Sequence, residues 1–220
     1  MFQQRGDVVP SASQIKELPT RERILLESSR LFARKGYHGT STREIAAAVQ
    51  IQQPSLFHHF SSKRAIMAEL VDIDHAEAAA TAKREAAAPG SPAVRLYRYL
   101  VADIAFICRC AYDLSSVEAV LNDPEFADKQ VRHDELQSSR RKIIEEGIEL
   151  GEFVAADAGL AHKMIIWMLR GDIVDTAGHA VADAEWVADQ LASFILRALL
   201  VDPSQLDAIK KAAEAENGGG

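Results

Sequence analysis

Along residues 20–35 the apolar side chains Ile24, Leu25, Leu31 and Phe32, with Ser28 among them, recur on one stripe of a 3.6-residue period, which predicts an amphipathic helix. Gly36 follows where a helix commonly closes with a left-handed residue. Ser41-Thr42-Arg43-Glu44 has the S-x-x-E form of a capping box ahead of Ile45, Ala46 and Val49, so a short second helix is expected from Thr42 to Val49. A third should follow Gln50 and Ile51. Pro54 suits its first turn, where no backbone donor is needed, and Leu56 and Phe60, four apart, share its inner face. Ser61 or Ser62 can cap a fourth helix running through Lys63, Ile66, Met67, Leu70 and Ile73 into alanine-rich 76–88, which Pro89-Gly90-Ser91-Pro92 stops.

Beyond that break, residues 93–113, 115–121, 124–154, 158–178, 183–201 and 204–216 all read as helical, and β-type alternation is nowhere sustained. The predicted fold class is all-α. Residues 1–19 show no apolar period and are expected to be a flexible arm, and residues 217–220 a disordered tail. Between them the expected domains are 20–66 and 67–216.

Composition agrees with a folded globular chain: 48% of residues are hydrophobic and 26% charged. No apolar run approaches the length of about 18 residues needed to span a bilayer, and the first residues lack a signal core, so the expected location is cytoplasmic, with no membrane partner. Cys108 and Cys110 stand two apart in a helical pattern, diverge, and read as core or pocket thiols. The formal charge of −7 is unevenly distributed: residues 15–70 carry +4 and residues 71–220 carry −11. A polyanion would be drawn to the first part and repelled by the second.

The stretch 52–63, QQPSLFHHFSSK, combines amides, aromatic rings and imidazoles with no acid. With Leu56 and Phe60 facing inward, His58 points almost opposite, flanked by Ser55, Phe57 and His59. Two short helices joined by about three residues and held between longer ones make a helix-turn-helix whose second helix enters the major groove. Thr42, Arg43 and Lys63 are candidates for phosphate positioning, Gln53, Ser55, His58 and His59 for base reading, and Pro54 and Phe57 complete the DNA-binding set. No catalytic, zinc-ligand or phosphate-loop motif assembles from the seven histidines or elsewhere, so neither an enzyme nor a metal or other cofactor is expected. A helical enzyme or a protein-interaction module without specific DNA binding is the alternative.

RILLESSRLFARKGYHGTSTREIAAAVQIQQPSLFHHFSSKRAI resembles the DNA-binding domain of the tetracycline-repressor (TetR) family of bacterial transcription regulators, over about residues 21–72. Phe32, Gly36, Tyr37, Ser41, Ile45, Ala46, Phe57, His59, Phe60, Ser62 and Lys63 supply the family pattern. Gln50 stands in place of the usual turn glycine, Pro54 in place of a small residue and Phe57 in place of tyrosine. The resemblance implies a dimeric regulator on a palindromic operator, most often a repressor released by a small molecule. It also implies a larger C-terminal helical domain that binds the effector and pairs with a second copy. For a largely apolar effector the candidates are Tyr99, Phe106, Arg109, Cys110, Tyr112, Trp167, Met168 and Arg170. For the homodimer they are Leu160, Met164, Trp167 and Gly171 on one helix, with Val187, Leu191, Phe194, Ile195 and Ala198 on the next.

Overall fold

A computed structural model describes residues 12–154, 157–170 and 183–217. Its helices are α1 (Ala12–Glu17), α2 (Thr20–Lys35), α3 (Thr42–Val49), α4 (Gln53–His59), α5 (Lys63–Ala87), α6 (Pro92–Arg109), α7 (Val117–Leu121), α8 (Ala127–Glu149), α9 (Ala158–Arg170), α10 (Ala184–Leu199) and α11 (Leu206–Asn217). Short 3-10 turns, Pro124–Phe126 and Pro203–Gln205, precede α8 and α11. The fold is all-α; the extended pairing among the described residues is a single antiparallel bridge between Phe153 and Leu200.

Two compact units emerge. Among the described residues the first holds 12–76 together with Cys110–Val131, and the second holds Glu77–Arg109, 132–154, 157–170 and 183–217. The expected division at 66/67 thus falls inside α5, and the 110–131 segment goes with the first unit instead of the second. Its side chains account for this placement. Phe126 is fully buried and meets the Tyr37 ring edge-on at 5.2 Å, while the Arg64 guanidinium pairs with Asp128 and donates to the Glu125 carbonyl at 2.8 Å.

In the first unit α2 buries Ile24, Leu25, Leu26, Leu31 and Phe32 against Ile45, Ala46 and Val49 of α3 and Leu56 of α4, all less than a tenth exposed. Burying each large aliphatic or aromatic side chain is worth about 1.5–3 kcal/mol, so this small core is what holds two helices of eight and seven residues that would not persist alone. In the second unit Leu96, Tyr99 and Leu100 of α6 pack with Ile143 and Ile144 of α8, Ile165 and Ile166 of α9, and Ile195 and Leu196 of α10. Gly147 admits the Phe153 ring, which would lie 2.1 Å from any Cβ at that position.

Several sequence expectations need correction. The arm is not wholly without structure: Ala12–Glu17 forms a helix, with Ile15 and Leu18 half-buried, whereas residues 1–11 lie outside the described residues, as do 218–220. Gly36 has a positive φ of 73° but a ψ of 161°, an extended state reserved for glycine and not the left-handed helical one. The helix expected over 93–113 stops at Arg109, because Asp113 accepts from both the backbone N–H and hydroxyl of Ser115, a local turn that competes with helix. The helix expected over 124–154 begins as a 3-10 turn and ends at Glu149, two residues before Gly151 at φ 72°.

Candidate nucleic-acid interface

The site begins at the turn after α2. Thr40 is buried and its hydroxyl donates to the Gly36 carbonyl at 2.9 Å, which closes the 36–40 loop. Ser41 then caps α3. The Glu44 N–H donates to Ser41 Oγ at 3.2 Å and the Ser41 N–H donates to the Glu44 carboxylate at 2.9 Å, completing the reciprocal box. Lys35, followed by the Ser41 backbone N–H, holds the Glu44 carboxyl down at about 2. It therefore remains a charged cap at neutral pH.

The turn between α3 and α4 is a Schellman motif built on glutamine. Gln50 sits at φ 61°, ψ 45°, its N–H donates to Ala47 O, and the Ile51 N–H donates to Ala46 O at 3.0 Å. This is the left-handed turn expected at Gln50, held without glycine at a strain of about 1 kcal/mol. Arg23 of α2 reaches across to accept none of that strain but to satisfy the end of α3, donating to the Val49 carbonyl.

α4 then presents two faces. Leu56 is fully buried and Phe60, just past the helix, is 4% exposed; Pro54, Phe57, His58 and His59 are exposed and Gln53 and Ser55 half-buried. No acid lies in the helix. Arg43 is exposed at the start of α3, beside the capped N-terminus.

Two of the candidate residues have additional internal roles. Gln53 Nε2 donates to Thr42 Oγ1 at 2.9 Å, so this amide ties the start of α4 to the start of α3 before it can read any base. Lys63 Nζ donates to the carbonyls of Tyr37 at 2.8 Å and Thr40 at 2.9 Å and sits 4.3 Å from the Tyr37 ring centroid. An ammonium has three N–H donors, and these two carbonyls take two of them. Sequence reasoning saw both residues as outward-facing, because neither the 36–40 loop nor the Thr42 partner is local in sequence to them.

The effector candidates divide between the two units. Cys110 and Tyr112 belong to the first unit, Tyr99 and Phe106 to the second. Trp167 is 79% exposed and cannot line an enclosed pocket of the protomer, and Arg109 is exposed and pairs with Glu185. Met168 packs against the core of the second unit; the Arg170 side chain lies outside the described residues. His133 and His162 are linked through one side chain: Gln137 donates to His133 Nε2 at 2.9 Å and accepts from His162 Nε2. The signal was present as His133, Gln137 and Arg140 at i, i+4 and i+7 on one face of α8.

For the dimer set, Leu160, Met164, Trp167 and Phe194 are more than half exposed and Ala198 is exposed. Ile195 is instead buried in the protomer's own core, and Val187 and Leu191 pack against that core, because α10 turns that side inward. Gly171 lies outside the described residues. Trp186 and Val201, both exposed and both unforeseen, extend the α10 stripe. Among the described residues no helix is long and apolar enough to cross a membrane, and no three His, Cys, Asp or Glu side chains converge on a metal position.

Comparison with known proteins matches residues 24–70 to the family described as bacterial regulatory proteins, tetR family. The HTH-type transcriptional regulator UidR of Escherichia coli K12 is 34% identical over 67 residues, 30% of this chain and 34% of UidR. IcaR of Staphylococcus aureus, the HTH-type negative transcriptional regulator of the biofilm operon icaADBC, is 39% identical over 51 residues, 23% of this chain and 27% of IcaR. These matches span about a third or less of the length of those relatives. Across nearly the whole chain, the structure of Mycobacterium smegmatis AmtR superposes with a TM-score of 0.70 at 26% identity, covering 91% of this chain and 95% of AmtR.

Proposed function

The chain belongs to the TetR family of bacterial regulatory proteins and carries its helix-turn-helix, and we propose that it acts as a dimeric, effector-released repressor on a palindromic operator in the cytoplasm. What carries this function is the outward face of α4: a helix with no acid, exposing Phe57, His58 and His59 beside Arg43 while Leu56 anchors it from behind. Such a face can enter a major groove without repelling the phosphates, and the donors at the N-terminus of α3 can fix its register. Phe57, without the hydroxyl a tyrosine would bring, offers its ring to sugar or thymine methyl groups.

Pairing follows from the apolar residues that the protomer leaves uncovered. Leu160, Met164 and Trp167 on α9, Trp186 and Phe194 on α10 and Val201 just beyond it are apolar side chains that a second copy would cover in an isologous interface. Two copies bring two α4 helices to two half-sites. An effector that prefers a different separation of those helices lowers operator affinity by its differential binding energy, about 1–3 kcal/mol in typical allosteric proteins. A repressing sign is supported by the negative regulator IcaR among the relatives.

Fluorescence anisotropy of a labelled duplex titrated with the protein between 50 and 300 mM salt tests the DNA-binding part. Binding whose log K falls linearly with log salt, with a slope of about −0.9 per neutralised phosphate, is expected. A protein-interaction module that does not use DNA would retain no duplex even at the lowest salt.

A further inference from the structure

Arg140 lies on the inward side of α8 and is only 4% exposed, an exceptional position for a permanent cation unless something negative meets it. The buried Arg95 and the half-buried Arg98 of its unit are met: Arg95 pairs with Glu146 at 2.7 Å and Arg98 with Glu85 at 2.6 Å. Among the described residues no carboxylate pairs with Arg140, and its Nε is sealed from solvent without an acceptor. Its partner is the Tyr99 ring, 5.4 Å away. Asp103, the carboxylate that might have served, instead accepts from the Tyr99 hydroxyl at 2.8 Å.

The neighbouring polar groups do not supply the missing charge. His133, Gln137 and His162 are chained: His162 Nε2–H donates to the Gln137 oxygen and the Gln137 amide donates to His133 Nε2. Burial, reinforced by the Arg140 charge, depresses His162 to about 4. Leu136, Ile143 and Ile144 flank Arg140 on the same side of α8 and are buried. Among the described residues the surroundings of Arg140 therefore offer a guanidinium paired with no carboxylate, hydrogen-bonding side chains and an apolar surround.

We propose that the second unit binds a monoanionic, largely apolar carboxylate as its effector, with the carboxylate paired to Arg140 and the apolar body lying among the side chains around it. A single permanent cation balances a monoanion and leaves a phosphate dianion half unpaired. This deepens the effector reading above and depends on it only for the consequence at DNA.

The test is thermal unfolding of the full chain, without DNA, in 1 mM octanoate, phenylacetate, octanamide, phenylacetamide or octyl phosphate. At least one carboxylate should raise Tm by about 3 °C or more, by mass action on the folded state, with its amide moving Tm less than a third as far. Arg140→Met should keep or raise the Tm of the unliganded protein, since a buried cation paired with no carboxylate among the described residues is replaced by an apolar chain of similar length, and should abolish the carboxylate shift. The acid-against-amide comparison on the wild-type protein stands by itself if that variant does not fold. Equal shifts for acid and amide, a larger shift for octyl phosphate, or no shift with either carboxylate overturns the inference. Duplex retention is measured separately: a carboxylate shift without any DNA binding upholds this site and sinks the repressor reading, whereas DNA binding with no carboxylate shift sinks this site alone.

Discussion

Gln53 Nε2 donates to Thr42 Oγ1 at 2.9 Å, so a side chain on the second helix of the helix-turn-helix is fastened to the first residue of the first. The two helices are otherwise joined only by the Gln50–Gln52 turn and the small core beneath them. Replacing Gln53 by alanine should cost about 1 kcal/mol of stability and weaken binding to all duplexes by a similar factor. Denaturant unfolding together with anisotropy on two unrelated duplexes checks this. A change confined to one base position would instead make Gln53 a base reader.

Lys63 is held by the carbonyls of Tyr37 and Thr40, and so contributes to the loop that aims α3 as well as to any phosphate contact. Lys63→Met should lower stability by about 1.5 kcal/mol or more, the scale of a charged hydrogen bond lost, and also reduce the salt slope of DNA binding by about one. Urea unfolding and a salt titration read the two effects separately. Loss of DNA affinity with unchanged stability would reduce Lys63 to a phosphate contact.

His162 carries a pH signature. Its folded-state value is depressed to about 4, first by burial and then by the Arg140 charge, from an ordinary 6.5. The unfolded chain therefore binds the extra proton first as pH falls. Stability should be flat above about 6.5 and decline towards pH 4, by at most about 3 kcal/mol. Carboxylates held low, such as Glu44 and Asp123, lose their protection at still lower pH, which leaves the interval from 6.5 to 4.5 to the imidazoles. Urea unfolding across that interval should show the slope in the wild-type protein and a flatter one in His162→Gln.

Trp167 and Phe194, at 79% and 63% exposure, are the most exposed of the large apolar side chains on α9 and α10. Introducing charge there with Trp167→Glu and Phe194→Glu should convert a dimer to a folded monomer, read by sedimentation with circular dichroism as the check on folding. DNA affinity should fall at least tenfold as the paired half-sites are lost. A wild-type protein that sediments as a monomer at micromolar concentration would contradict the interface.

The first unit was legible because its signals are local. Ser41 and Glu44 are three residues apart, the Pro54 turn and the Leu56–Phe60 pair lie within one short helix, and each reads from sequence as it folds. The left-handed turn at Gln50 was legible only through the family resemblance, which puts a turn glycine at that position. What escaped depends on side chains far apart in sequence. Phe126 and Asp128 join the DNA-binding helices through Tyr37 and Arg64, and no periodicity announces that. Ile195 and Phe194 are adjacent and equally apolar, yet one is buried in the protomer and the other faces outward, which only the direction of α10 decides. Arg140 is buried on α8 with no carboxylate paired to it among the described residues, which spacing along the helix does not announce.

The most direct measurement is selection of bound sequences from a random DNA pool, run in parallel with the wild-type protein, His58→Ala and Arg43→Ala. The face of α4 described above predicts an enriched palindrome for the wild type, and relaxed preference at one or two positions per half-site for His58→Ala, worth about 1–3 kcal/mol per position. Arg43→Ala should select the same palindrome more weakly. Enrichment of no sequence by the wild type, or an identical profile from His58→Ala, would contradict the placement of that helix in the groove.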